Sequence, residues 1–359
     1  MEHTVVFGAG VMGLSATEAL LQHAALNGVA TTVTIVADRF GDQTDSKSGG
    51  AVMPFLNSDP RVPKWTRESA HWYTEVLPAR RPTLTKYLVR HGTLLASRRD
   101  RPIEVPGHLG AEHLVSPVEF GLGSFYRSAA CHMDGLIINT CALLPEWTRL
   151  LESDPQVRMV RGTFTRSTLA QLARRLQATR VIFAPGYRAQ DPHLADDGEV
   201  AAVEGILLSG KAVSPGSCHS QYFVVDEDDS DELTYTIPHT ACSTHKLIVG
   251  GSAVEVPWRA LPEEQRLTRQ HDRLIDEILD RVQKRFPDLR SWQPQDVWIG
   301  YRPARNQMRC GLMDLDFLDG IPTVALYGSG GSGWTIAPGA VREALNSSIY
   351  SVEQTWSGC

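Results

Sequence analysis

Two periodicities run through this chain. Short apolar runs rich in β-branched residues occupy 4–7, 31–37, 157–164, 181–184, 205–213, 220–225 and 324–327, each bounded by glycine, proline or polar residues, and predict strands. Residues 235–238 and 246–250 predict a strand pair. Other stretches carry apolar residues three and four apart and predict helices. The clearest are 63–77, with Trp65, Trp72, Tyr73 and Leu77 on one face; 136–151, with Leu143, Leu144, Trp147 and Leu151 inward; and 267–286, with Leu274, Ile275, Ile278, Leu279 and Val282 inward. Shorter helices are predicted at 15–23, 169–177 and 338–349, with a further helical piece reaching about residue 90 beyond Pro82. Residues 102–117 read as loop, and 226–232 as a solvated acidic tip. Strands alternating with helices predict an α/β fold.

The first strand runs directly into Gly8-Ala9-Gly10-Val11-Met12-Gly13, and a helix follows. This is the arrangement that receives a dinucleotide. Gly8 permits the turn, Gly10 leaves room for a diphosphate, and Gly13 lets the helix pack closely on its strand. The free N–H groups and the positive dipole end of the helix then face the phosphates. The second strand ends at Asp38, where a ribose hydroxyl needs an acceptor. A run like 181–186 is expected to return beside the opening strand. A second strand, glycine-rich turn and helix appears at 324–349, through Gly328-Ser329-Gly330-Gly331-Ser332-Gly333-Trp334-Thr335. Ahead of it, Gly300-Tyr301-Arg302-Pro303-Ala304-Arg305 places two arginines among apolar neighbours.

At 359 residues, two lobes are the expectation. The residues are 42% hydrophobic and 21% charged, the balance of a soluble globular chain, and no apolar run is long enough to cross a bilayer. A net charge of −6 with scattered arginines argues against a nucleic-acid partner. The six cysteines form no C-x-x-C, so neither a zinc site nor a disulfide framework is expected. No signal peptide is visible, and with free thiols this points to the cytoplasm.

Taken together, these blocks resemble the D-amino-acid oxidase family of flavoenzymes. Residues 8–15 resemble its opening loop, and Ala37-Asp38-Arg39-Phe40 the end of its second strand. Ser48-Gly49-Gly50-Ala51-Val52-Met53-Pro54 resembles its segment beside the flavin ring. Residues 300–305 resemble its substrate-carboxylate motif, and 327–336 its C-terminal flavin loop. The matched blocks span nearly the whole chain in order.

The resemblance implies a two-lobed flavoprotein. Residues 1–60, 140–200 and 300–359 would form a discontinuous Rossmann-like FAD-binding domain, and 61–139 with 201–299 a mixed-sheet substrate domain. It implies non-covalent FAD. Gly8, Gly10, Val11, Met12 and Gly13 would serve the diphosphate, and Asp38 the ribose, with Arg39, Thr44 and Asp45 nearby. Ser48, Gly49, Gly50 and Met53 would pass beside the isoalloxazine, the backbone around Phe164 would meet the adenine, and Gly330, Gly331, Ser332, Gly333, Trp334 and Thr335 would contact the ring's pyrimidine side. Arg302 would clamp a substrate carboxylate. Tyr235, in Tyr235-Thr236-Ile237-Pro238, would hydrogen-bond the same carboxylate. The implied reaction is hydride removal from the α-carbon of an amine-bearing acid, with dioxygen yielding hydrogen peroxide. A homodimer is compatible with this reading.

Departures bear on the substrate. Asp231 stands where the family often has a second tyrosine, and Met53 where a glutamine is common. Ser332 stands where an aromatic is usual, and Trp334 is bulkier than the usual aliphatic residue. The C-terminus lacks a Ser-Lys-Leu signal. A glycine- or sarcosine-oxidase-type enzyme, or an amine oxidase of a specialised pathway, is the nearest alternative. A nicotinamide-dependent dehydrogenase would explain the first glycine loop but not the second. A non-catalytic flavoprotein would leave Arg302 and Tyr235 without a purpose.

Overall fold

The first apolar run is buried because it has a parallel partner on each side. The computed structural model describes residues 2–54, 57–99, 113–226, 228, 233–240, 245–257 and 269–349. Its strands are β1 (Glu2–Phe7), β2 (Thr31–Ala37), β3 (Leu88–Ser97), β4 (His113–Val115), β5 (Ser128–Ile138), β6 (Val157–Arg161) and β7 (Arg180–Phe183). They continue as β8 (Ala201–Lys211), β9 (Tyr222–Asp226), β10 (Thr234–His239), β11 (Lys246–Gly250), β12 (Val254–Val256), β13 (Asp296–Met313) and β14 (Thr323–Ser329). The helices are α1 (Val11–Asn27), α2 (Val62–His71), α3 (Leu77–Arg80), α4 (Thr140–Glu152), α5 (Arg166–Arg175), α6 (Arg269–Arg285) and α7 (Gly333–Ile349).

All strands belong to one mixed sheet, in the order β4-β5-β3-β9-β10-β11-β8-β13-β14-β7-β1-β2-β6, with β12 paired to β8. From β14 to β6 every pairing is parallel. From β5 to β13 the pairings are antiparallel except β3 with β9. β13 joins the two blocks. Its first half, from Asp296 to Ala304, pairs with β8, and its second half, from Arg309 to Met313, pairs with β14.

Period-two alternation splits each block between two cores. In the parallel block, Val6, Val33, Ile35, Val324 and Leu326 face α1, α2, α4 and α7. Val5, Phe7, Val36, Phe183 and Ala325 face the opposite way, toward α5. In the antiparallel block, Leu94, Ile206, Leu208, Val224 and Val249 pack against Ile278 and Val282 of α6. Leu95, Leu207, Phe223, Val225 and Ile237 form the other face.

The predicted elements hold with shifted boundaries. α1 begins at Val11 rather than residue 15, because Gly10 is extended and serves as its N-cap. The helical piece expected up to residue 90 is a 3-10 segment, Pro82–Tyr87, and β3 starts at Leu88. The expected helix from 136 starts at Thr140, because Leu136 to Ile138 close β5. The β5 error has a physical cause: Leu136, Ile137 and Ile138 are all buried, and a strand covered on both faces loses the alternation that marks it, whereas Leu88 to His91 of β3 are half-buried or exposed. Most of 102–117, most of the acidic tip including Asp231, and the C-terminal tail lie outside the described residues. Among the described residues no helix is long and apolar enough to cross a membrane, no metal-binding cluster occurs, and Cys131, Cys141, Cys218 and Cys310 form no disulfide.

One buried charge ties the helical layer together. Glu18 of α1 is 1% exposed and accepts from Arg81 Nε at 2.7 Å, Arg80 Nη2 at 3.2 Å and Trp147 Nε1 at 3.2 Å. Arg81 also reaches Asp154 at 3.0 Å. Removing one partner of such a cluster strands the others. Glu18→Ala is therefore expected to destabilise the fold by about 3 kcal/mol, read as a lowered denaturation midpoint at unchanged m-value. A midpoint equal to the wild type would remove Glu18 from the fold's essential contacts.

Candidate active site

One long cleft crosses the junction between the parallel and antiparallel blocks. Its floor in the parallel block is made at the C-terminal ends of β1, β2, β7 and β14, where α/β sheets receive ligands. The turn after β1 depends on Gly8. Its φ is +106°, and a Cβ there would lie 2.1 Å from the Ala184 carbonyl oxygen. A side chain at Gly13 would run into the Gly8 carbonyl, so the helix sits hard against its strand.

The cleft wall brings together Gly8, Gly10, Val11, Met12, Asp38, Arg39, Thr44, Asp45, Ser48, Gly49, Gly50 and Met53 with Gly330, Gly331, Gly333, Trp334 and Thr335. Residues from both glycine loops, more than 300 positions apart in sequence, thus share one cavity. Thr335 links the α7 start to the middle segment: its Oγ1 donates to Met53 O at 3.0 Å and accepts from Met53 N at 3.2 Å. His239 fixes the Gly49–Gly50 segment by donating from Nε2 to the Gly49 carbonyl at 2.8 Å. Burial lowers that imidazole to about 4, so it is neutral near pH 7.

Three expected residues stand elsewhere. Gly13 lies within α1, Ser332 is 1% exposed in the core, and Phe164 packs edge-on against Phe7 at 6.1 Å. The Phe164 carbonyl instead accepts from Arg188 Nη2 at 3.3 Å. Arg188 itself lines the cleft, with Gly162, Ala184, Pro185, Gly186 and Tyr187, and sequence reading did not single these out. A signal was present: the 181–186 run was expected beside the opening strand, so the turn after it opens into the same crevice.

At the antiparallel end, the wall is Leu207, Phe223, Val225, Leu233 and Ile237, with Tyr235 and Arg302 as its polar groups. Arg302 sits on β13, opposite Val203 of β8. Its Nη1 donates to Ser252 O at 2.7 Å, and among the described residues no carboxylate pairs with it. Tyr235 hydrogen-bonds to Arg302; burial pushes its hydroxyl above the usual tyrosine range, and the guanidinium partly offsets this. Two glycines make room for the pair. A Cβ on Gly205 would lie 2.2 Å from Arg302 Nη2, and one on Gly250 would lie 2.6 Å from the Tyr235 hydroxyl. Arg305 points away and is paired with Asp197 and Glu199. Cys310 is also turned away: its thiol donates to Ala340 O at 3.2 Å, and burial pushes it up to about 12.

The residues present fit FAD. The cleft is lined by backbone and small residues along one stretch, and Arg39, Lys47 and Arg188 give it positive charge. Gln43 donates from Nε2 to Ala9 O and Arg39 O, while its Oε1 is buried with no partner among the described residues. A ligand donor would satisfy that acceptor.

Comparison with known proteins agrees with this geometry. A D-amino-acid oxidase of Streptomyces coelicolor is 27% identical over 304 residues, covering 79% of this chain and 88% of the relative. A D-amino-acid oxidase of Rubrobacter xylanophilus is 32% identical over 151 residues, which cover 42% of this chain and only 40% of that relative. Among solved structures, glycine oxidase from Geobacillus kaustophilus superposes with a TM-score of 0.74 at 15% identity, covering 99% of this chain and 96% of that one. Iminodiacetate oxidase from a Chelativorans species gives 0.70 at 18% identity, with 98% and 96% covered. At such identities the structures establish the fold alone. The model of the FAD dependent oxidoreductase family matches residues 3–344. With the match extending from the first strand into the last helix, this chain belongs to the FAD dependent oxidoreductase family and is an FAD-using enzyme.

Proposed function

We propose that this protein oxidises a free α-amino acid with an apolar side chain, in the manner of a D-amino-acid oxidase, giving an imino acid and hydrogen peroxide. Segments 1–60, 140–200 and 300–359 hold non-covalent FAD, and 61–139 with 201–299 cover the substrate. The observation that carries this reading is Arg302: a cleft guanidinium with no acidic partner among the described residues, hydrogen-bonded to Tyr235 and set in an apolar wall. A charged fork held in such a place is matched by a carboxylate.

The roles follow from the contacts. Arg302, anchored through Nη1 to Ser252 O, has donors left for a carboxylate, and the Tyr235 hydroxyl adds one more. Leu207, Phe223, Val225, Leu233 and Ile237 take the substrate side chain and exclude water. None of these five can act as a general base, so the amine must arrive uncharged, with its lone pair free to form the C=N bond. When bound, FAD would supply the hydride-accepting chemistry, with dioxygen as the final electron acceptor. The protein's contribution is orientation. The imine is then hydrolysed by water to an oxo acid and ammonia.

The similarity to D-amino-acid oxidases along most of the chain supports the D-series. Glycine would leave the apolar wall unfilled, which argues against a glycine-oxidase-type preference. Anaerobic loss of flavin absorbance, screened with D- and L-amino acids, glycine and sarcosine, tests the choice. Apolar D-amino acids should react fastest; reaction with glycine or sarcosine alone would overturn the reading.

Arg302→Ala should leave the flavin spectrum intact and lower kcat/KM for a free amino acid about 30-fold to several-thousand-fold, the equivalent of about 2–5 kcal/mol. Arg302→Lys should recover part of this, since a point charge cannot reproduce the planar fork. Steady-state kinetics with the acid and its amide checks both, because the amide should lose little in the mutant.

Gly205→Ala provides an independent test. The added methyl would stand 2.2–2.7 Å from three guanidinium atoms of Arg302, so that flexible side chain must move. KM should rise about tenfold or more with little change in thermal midpoint or FAD content. Unaltered kinetics would show that the position of Arg302 is not what binds substrate.

A further inference from the structure

Asp45 places a carboxylate in the position that glycine-loop geometry reserves for a diphosphate. It lies in the 3-10 turn Thr44–Lys47. Its Oδ2 accepts from the backbone N–H of Val11, the first residue of α1, at 2.9 Å. A Cβ on Gly10 would stand 2.4 Å from the same oxygen, so the carboxylate fills the space that Gly10 leaves open. On the other side is Gly333, the first residue of α7, whose Cβ would lie 3.5 Å from Oδ1. The start of both 17-residue helices therefore converges on one carboxylate. The backbone of Asp45 is pinned: its carbonyl accepts from Trp334 Nε1 and from Ser48 Oγ, each at 2.9 Å.

Few other charges face it. The first turns of α1 and α7 contribute none. On its own turn Lys47 is paired with Asp42 at 3.3 Å. From the segment after α2 comes Tyr73, whose buried hydroxyl has no hydrogen-bond partner among the described residues and senses the Asp45 charge. Arg39 and Arg188, which line the same cleft, are paired with Asp38 and Asp191, so among the described residues no cation is paired with Asp45 to let it and a diphosphate share the site as anions. Two like charges a few ångströms apart in a recessed site repel strongly.

We propose that Asp45 is a proton-linked placeholder for the cofactor diphosphate: an anion at the paired helix starts in the free protein, and a neutral acid, able to donate its O–H, once FAD is bound. The proposal rests on the reading of this cleft as the FAD site. Burial already holds the Asp45 carboxyl above the ordinary carboxylate range, against the opposing effect of the Val11 hydrogen bond. A nearby diphosphate would raise it further, so the bound state retains its proton to higher pH than the free state. The sign follows by linkage: affinity is greatest at low pH and falls as pH rises above the free protein's value.

The test is FAD binding to the apoprotein, followed by flavin fluorescence from about pH 6 to about pH 9, with calorimetry in two buffers of different ionisation enthalpy. Wild-type Kd should rise by up to about tenfold per pH unit, with close to one proton taken up per FAD bound. Asp45→Asn should bind with a nearly flat pH profile and no proton uptake, and at the alkaline end about tenfold or more tighter than the wild type. Wild-type binding without proton uptake, or an equal pH dependence in the Asn variant, would overturn the proposal while leaving the cleft reading intact. Failure of FAD to bind at any pH would overturn both. Proton uptake is measured on the wild type, so the outcome does not depend on the variant folding.

Discussion

Strand β13 must pair with two different neighbours along its length, and the rest of the structure is arranged around that demand. Its first half lies beside β8 in the antiparallel block, and its second half beside β14 in the parallel block. The register breaks between Ala304 and Arg309, where the strand changes partner. Arg302 lies just before that break, and Ala304 is paired with Ser329, the residue preceding the Gly330-Gly331 turn. Hydrogen-bond register therefore fixes how far the guanidinium stands from the second glycine loop. Backbone pairing is a stiffer spacer than side-chain packing, which suits a site where reacting groups need sub-ångström placement.

The two ends of the cleft are built by opposite means. Along the parallel block, polarity is supplied by backbone: glycine turns and the starts of α1 and α7, whose N–H groups have no partners within their helices. Along the antiparallel block, the wall is side chain: Leu207, Phe223, Val225 and Ile237 project from one face of the sheet, while Ile206, Leu208 and Val224 project from the other into the core beneath α6. The same alternation that makes a core on one side thus makes an apolar pocket on the other. Gly205 and Gly250 make room in that wall for Arg302 and Tyr235.

Two carboxylates, Glu18 and Asp45, are handled differently. Glu18 is surrounded by Arg80, Arg81 and Trp147 and serves the packing of α1 on α3 and α4. Asp45 accepts from the Val11 backbone N–H at a helix start, with the Tyr73 hydroxyl nearby and no ion-pair partner among the described residues. The first is a closed structural cluster. The second leaves its balance of charge to be completed by whatever enters the cleft, which is why its protonation is proposed to follow the cofactor.

Arg302 and Tyr235 became candidates through the resemblance to the D-amino-acid oxidase family, while by itself the sequence determined the α/β class and both glycine loops. Those features are written locally: a strand-turn-helix needs particular residues at particular spacings, and no distant contact can substitute for Gly8 at φ +106°. It misplaced the start of β3, and it misplaced the end of β5 because a strand covered on both faces carries no alternation to read. It passed over Gly205, Tyr187 and Arg188 as site residues: the 181–186 run pointed to the turn after β7, but their place on the cleft is set only once β7 and β8 are in the sheet. It placed Asp45 near the cofactor but could not give its role. Only the tertiary structure brought that carboxylate to the starts of two helices more than 300 residues apart, because the convergence is set by sheet order rather than by sequence spacing.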